Sequence, residues 1–443
     1  MTTVAKSGRA WLLAALALLP IHSEAQTLSD ELPKVEGPLT LAQAVQIGLR
    51  ENLMIRAAQS EAQAAAAETR AARSLTRVQV SANTYLTYGD SPNIVTTSPG
   101  VMPPNALTVM PQGFADQNLM LMVPLYTGGR LNSLARAAAE RERAAAEEVG
   151  GVQAETALQI KEAYYRALLA AEIVKAAQAR VEADTALLQT TRAQFEAGKG
   201  IEASVRRVEA EQADAQRALT SARNDQAKAL LDLKAAMGVR LDSALTVSDA
   251  LAFQPPGGDL ASALKAASDN RPELRAARLR VHAAGAQTSA AKSAYQPQVY
   301  GTAMADGFSG RNDSGVGYTV GLTLSIPLVD GGQRRAEVAQ ARAMQERAAA
   351  ESRSLELTVA KEVRQAWLDV ETAAQNYRTT QMALQAAQAA YEVIALRVQN
   401  QKSILVEQLD ALAALTQARA NLAQALYDHA TAVARLQRAT GRL

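Results

Sequence analysis

The chain contains no cysteine. That excludes disulfides, thiolate zinc sites and thiol nucleophiles. Aromatics make up only 4%, with 2 Trp and 4 Phe, although hydrophobic residues reach 48%. The apolar content is therefore mostly Ala and Leu, which suits closely spaced helices rather than a core of large rings. The 3 histidines, His22, His282 and His429, are far apart and match no metal-ligand spacing. Neither charge sign is in excess: the net charge is +2, so nothing points to nucleic acid. No Ser/His/Asp arrangement, metal cluster or phosphate loop appears, so no enzyme, metal or cofactor is expected. Long hydrophobic runs are absent beyond the N-terminus, which excludes a helical membrane span.

Residues 1–25 read as a signal peptide. Lys6 and Arg9 form a positive start, and Trp11 to Leu19 an apolar stretch too short to span a bilayer. Ser23-Glu24-Ala25 places small residues at the −3 and −1 positions, so the mature chain is expected to begin at Gln26.

The rest is a tandem repeat. Leu41-Ala42-Gln43-Ala44 recurs as Leu260-Ala261-Ser262-Ala263, Ile55-Arg56-Ala57-Ala58 as Leu274-Arg275-Ala276-Ala277, and Gln79-Val80 as Gln298-Val299, all at an offset of 219. Val123-Pro124-Leu125-Tyr126-Thr127-Gly128-Gly129 matches Ile326-Pro327-Leu328-Val329-Asp330-Gly331-Gly332 at an offset of 203, as Tyr164 matches Trp367. The first half therefore holds 16 more residues between about 80 and 123. The expected organisation is a first repeat over 26–238, a linker or belt over 239–258 containing Pro255-Pro256-Gly257-Gly258, and a second repeat over 259–443.

Each half reads as helix, strand, loop, strand, long helix and returning helix. A helix is expected over 40–76, with Thr40 as N-cap. Period-2 alternation of apolar and polar residues marks strands at about 77–88, 117–126, 298–306 and 317–328. Residues 130–197 and 333–399 contain no Pro, so each can form one helix roughly 100 Å long at 1.5 Å per residue. Sharp turns at Gly198-Lys199-Gly200 and near Asn400 to Ser403 lead to returning helices, which complete long pairs over 130–237 and 331–440. Leu384, Ala387, Tyr391, Ile394 and Val398 are spaced as a coiled-coil seam.

Strands of about 9–11 residues with one apolar and one polar face fit a membrane barrel. Of the 16 aromatics after residue 25, eight lie in 77–126 and 295–329, which fits interfacial girdles: Tyr85, Tyr88, Phe114, Tyr126, Tyr295, Tyr300, Phe308 and Tyr318. Four strands cannot close a barrel, and open edges in lipid are costly, so at least two chains are required. The fold class is mainly α with a small β part. At the junctions, Pro124 and Pro327 are expected to end the ladder, since Pro lacks an N–H, and the pairs Gly128-Gly129 and Gly331-Gly332 to permit the turn into helix.

The two Pro-Leu-x-x-Gly-Gly segments, 123–130 and 326–333, resemble the strand-to-helix signature of TolC-type outer-membrane efflux proteins, and the likeness runs from about Leu39 to Gly441. The resemblance implies a homotrimer with a 12-stranded barrel in outer-membrane lipid of a Gram-negative bacterium and a trimeric α-helical barrel through the periplasm. It implies a passive exit duct for drugs, metals or proteins in tripartite efflux or type I secretion, driven by an inner-membrane pump through a periplasmic adaptor. It also matches the family's acidic gate to Glu407 and Asp410, the alternative being a solvated helix face. The two turns, with Gly198, Lys199, Gly200, Lys402 and Ser403, are the expected adaptor contacts. Ser403 and Val398 stand where the family has a gate-bonding arginine and a tyrosine, so the closing bonds must differ. A periplasmic adaptor would carry a single helical hairpin and a β-sandwich pattern absent here, and a structural coiled coil would not carry these strands.

Overall fold

The computed structural model describes residues 32–87, 93–94, 109–110, 114–255, 257–309, 314–400 and 402–442. The expected signal peptide and most of the loop over 89–115 lie outside the described residues.

The first repeat runs β1 (Gly37–Leu39), α1 (Leu41–Glu51), α2 (Leu53–Ser74), β2 (Gln79–Thr87), β3 (Asn93–Ile94), β4 (Val109–Met110), β5 (Phe114–Tyr126), α3 (Arg130–Glu196) and α4 (Glu202–Met237). After β6 (Leu245–Val247), the second runs α5 (Leu260–Asn270), α6 (Pro272–Lys292), β7 (Gln298–Ser309), β8 (Ser314–Ser325), α7 (Gln333–Gln399) and α8 (Leu405–Ala439). Matched elements have matched lengths: α1 and α5 have 11 residues each, α3 and α7 have 67 each.

The helix expected over 40–76 is broken at Asn52. Its side-chain oxygen accepts from the Met54 N–H at 2.8 Å, capping α2, and its amide donates to the Ala236 carbonyl at 2.9 Å. The matching break in the second repeat falls at Arg271, where Pro272 starts α6 at the first helical position, its preferred place.

Strands β2-β5-β7-β8 form one antiparallel sheet in that order, leaving β2 and β8 as edges. Cross-strand rows alternate in character. Val80, Leu121, Ala303 and Val320 form one row, and Ala82, Leu119, Ala305 and Tyr318 another, on the apolar face. Asn83, Asn118, Asp306 and Gly317 lie in a row on the opposite face, where the Asn83 amide donates to Asn118 at 2.9 Å. The apolar side is bare: Val320, Leu322 and Leu324 are exposed. The fourth strand ends at Ser325, short of the expected 328, because β7 begins at Gln298 opposite Ser325 and no described strand pairs beyond it.

α3 packs on α2, on α4, and across the repeat boundary on α6 and α8. α7 packs on α6 and α8. The seam on α3, through Ala177, Asp184, Leu188 and Thr191, is buried against Val205, Val208, Ala215 and Leu219 of α4. The largest core surrounds fully buried Tyr164, Ile160, Leu233 and Met237 at the level of the belt. There the Tyr164 hydroxyl lies 2.8 Å from the Leu39 carbonyl and 2.9 Å from the Asp249 carboxylate. Among the described residues no helix is long and apolar enough to cross a membrane.

Candidate functional site

Three places carry the residues singled out by sequence: the strand-to-helix junctions, the turns between long helices, and the first turns of α8. The glycine pairs occupy the left-handed region that other residues avoid, with φ of 59° and 82° at Gly128 and Gly129 and 62° and 97° at Gly331 and Gly332. Gly129 and Gly332 stand at the N-caps of α3 and α7.

The two junctions are secured differently. At the second, the Asp330 carboxylate accepts from the N–H groups of Gly332 and Arg334, both at 3.0 Å, and caps α7. The Arg334 guanidinium also contacts Asp330, donates to the Pro327 carbonyl at 2.8 Å and lies over the Tyr295 ring. At the first, Gly128 fits tightly against Gln296, whose side chain would lie 2.3 Å from an added Cβ. Pro327 follows the end of β8, but Pro124 does not end the ladder. It lies inside β5 opposite Tyr300, and the register shifts between it and Tyr126. A bulge there accommodates the missing donor.

The two turns are closed alike. The Lys199 N–H donates to the Gln194 carbonyl at 2.9 Å, and the repeat-equivalent Lys402 N–H to the Arg397 carbonyl at 2.8 Å. Leu405 of α8 packs against Leu188, Val205 and Val208, so both hairpins end at the same level. Glu407 and Asp410 are exposed, on either side of buried Leu409. The Ser403 hydroxyl donates to the Glu407 carboxylate, so the residue standing in the arginine's place holds the acid within its own chain. Glu407 also lies in the first turn of α8, where the helix dipole favours negative charge.

Two polar clusters escaped the sequence reading. Arg271, 5% exposed, contacts Glu273 and Glu362, and Arg438 contacts Glu273 and Glu155. Burial acts to raise the Glu273 pKa, but its own backbone N–H and the guanidiniums of Arg438 and Arg271 outweigh it, holding the carboxyl below its ordinary range. The second cluster is Asp184, 1% exposed, with neither carboxylate oxygen hydrogen-bonded. Arg180 Nε lies 3.5 Å away, and Arg180 also reaches Glu211 at 3.1 Å. Burial pushes the Asp184 carboxyl up against the opposing pull of Arg180. The offset of 203 places Ala387 at the matching position, a mismatch visible in the sequence alone. Among the described residues no group of three or more His, Asp or Glu could hold a metal.

A two-faced sheet continued by helices of 67 residues, with acids and turns gathered at the far end, matches the architecture expected of an outer-membrane protein with a long helical extension. A family model described as outer membrane efflux protein matches residues 44–239 and 263–442. The chain belongs to that family and is an outer-membrane protein of the TolC type, its long helices lying on the periplasmic side. It is 30% identical over 262 residues to the outer membrane efflux protein BepC of Brucella suis biovar 1 (strain 1330), a match covering 58% of this chain and 56% of BepC. The match thus spans about half the length of that relative. The fold is similar to that of the outer-membrane channel OprN, with a TM-score of 0.75, 22% identity, and 91% and 90% of the two chains covered. It is likewise similar to the outer membrane protein VceC of Vibrio cholerae, with a TM-score of 0.73, 18% identity, and 90% and 96% covered.

Proposed function

We propose that three copies of the chain close into one conduit and serve as a passive exit duct for drugs, metals or proteins. An inner-membrane pump would supply the energy through a periplasmic adaptor. The observation that carries this reading is the four-stranded sheet with one apolar face, one polar face and two unpaired edges. In lipid an unpaired ladder is costly, and joining β8 of one copy to β2 of the next removes every edge.

The repeat supplies a register for that closure. The pairing of Leu121 with Ala303 inside the chain maps, through offsets of 203 and 219, onto Leu324 facing Thr84 of the neighbouring copy. Residues 326–329, which pair with no other described residue of one chain, then gain a partner as β5 gains one over Pro124–Tyr126. Twelve strands bring the polar row of Asn83, Asn118 and Asp306 to the lumen.

In this reading Glu407 and Asp410, three residues apart on α8, form rings of carboxylates at the periplasmic mouth and set a negative potential there. The turns at Gly198-Lys199-Gly200 and Lys402-Ser403 are the adaptor contacts. The test is mass measurement of the detergent-solubilised complex with conductance in planar bilayers. A trimer that conducts is expected, and a conducting or bilayer-inserted monomer would refute the reading.

A further inference from the structure

The boundary between the two repeats is stitched by charge. Four arginines of α6 and α8 meet four glutamates of α3: Arg275 with Glu147 at 3.2 Å, Arg280 with Glu148, Arg435 with Glu162 at 2.7 Å, and Arg438 with Glu155 at 3.2 Å. Side-chain packing accompanies them: Gly150 of α3 lies against the Pro272 ring, which an added Cβ would meet at an ordinary contact distance of 3.4 Å.

The free flank of α7 is the repeat-equivalent of this surface. It carries a stripe of exposed Leu357 (75%), Leu368 (60%) and Met382 (63%), spaced 11 and 14 residues apart and so within about 40° of one another around the helix. Their counterparts on α3, Ala154, Tyr165 and Ala179, are half-buried beside the neighbouring repeat. Among the described residues, the elements of matching shape left without such a neighbour are α2 and α4; on α2, Leu53 and Met54 are 55% and 67% exposed.

We infer that a neighbouring copy seats its α2 and α4 on α7 as α6 and α8 sit on α3, and that this seam carries none of the four ion pairs and opposes Glu61 to Glu351. This rests on the assembly proposed above. The offsets of 203 and 219 turn the four pairs into Arg56 with Ala350, Glu61 with Glu351, Asp232 with Gln365, and Ala235 with Thr358. Not one is complementary. The packing of Gly150 on Pro272 is replaced too, because Arg353 and Ser354 face Leu53 and Met54 of the neighbour. Arg347, paired with Glu351 on its own helix at 2.8 Å, moderates the repulsion. The assembled tunnel thus alternates two kinds of seam. Those within a chain are tight and ionic. Those between chains are apolar and slightly repulsive, and they are where the tube parts first.

The absence of cysteine makes this directly testable. The double variant Glu61→Cys with Glu351→Cys is treated with a short bis-maleimide in the solubilised complex. Glu148→Cys with Arg280→Cys serves as the matched pair inside one chain. The expected result is an inter-chain ladder ending at the trimer for the first and an internal cross-link for the second. A trimer by mass that gives no ladder while the control pair reacts overturns the seam and leaves the channel reading standing. A monomer by mass removes both. As a second measurement, Glu61→Arg supplies the missing complement and should slow subunit exchange about threefold at low salt, with the gain lost at high salt. Faster exchange in that variant overturns the inference even if the cross-link forms.

Discussion

Replacing Asp184 should tighten the α3–α4 hairpin, contrary to the usual effect of altering a buried residue. The side chain is 1% exposed and both of its oxygens lack a hydrogen bond. Leaving a buried polar group unsatisfied costs about 1–3 kcal/mol, more when it is charged. The compensation is one Arg180 contact at 3.5 Å, outside good hydrogen-bond geometry. Removing the carboxylate leaves Arg180 Nε as unsatisfied as it already is, while Arg180 keeps Glu211. Asp184→Ala, which installs the residue that the second repeat uses at Ala387, should therefore stabilise the hairpin by about 1–2 kcal/mol, a factor of about 5–30 in local opening. Asp184→Asn separates charge from volume and helix propensity and should give part of the gain. The assay is amide hydrogen exchange over 177–191 and 208–219 in the assembled protein. Because burial raises the Asp184 pKa, its contribution to stability is greatest below the unfolded-state value and falls as pH rises through the folded one. The gap between the Asn variant and the parent should thus be widest near neutrality and close on acidification. Faster exchange in both variants at neutral pH, or a gap indifferent to pH, would refute the reasoning.

Replacing Glu407 and Asp410 together by Ala should abolish block by a trivalent cation in single-channel recordings and lower cation selectivity, with assembly intact; unchanged block would place both acids on a merely solvated face. Gly128→Ala should sharply reduce the yield of assembled protein, because its Cβ would fall 2.3 Å from the Gln296 side chain at a φ of 59°. Gly331→Ala, with nothing within 4 Å, should incur only the backbone cost of about 1–2 kcal/mol. Tyr164→Phe should loosen the belt by about 1 kcal/mol, seen as faster proteolysis at 249–255. The loss is small because the Leu39 carbonyl keeps the Ser248 N–H at 3.0 Å. N-terminal sequencing of the membrane-bound protein should begin at Gln26, and a retained leader would contradict the export reading.

Much of this architecture is legible in the sequence because it is written twice. Two offsets match the halves and their junctions, period-2 alternation marks the strands, and the 67 residues of α3 and α7 follow from stretches without proline. What stayed hidden depends on contacts far along the chain. Asn52 breaks a periodic helix because its amide reaches Ala236, 184 residues away. Strand four stops at Ser325 because its ladder depends on where β7 begins. Asp184 is masked by apolar neighbours at 177, 181 and 188, and only a position-by-position comparison with Ala387 reveals it. At the tip, Glu407 and Asp410 stood out by motif, but the bond from Ser403 required coordinates.

The parallel pairing of β1 with β6 has a consequence for biogenesis. Gly37, Pro38 and Leu39 align with Leu245, Thr246 and Val247, so the start of the first repeat is completed by residues 208 positions later. During synthesis and export the N-terminal half emerges first, yet its base has no strand partner until the belt arrives. Closing so long a loop is slow, although the entropy lost grows only logarithmically with its length. The two halves, alike as they are, are consequently not independent folding units. A fragment ending at Gly238 would contain every helix of its repeat and still lack the partner that anchors its first strand, whereas the described residues of the second half include no strand in that role.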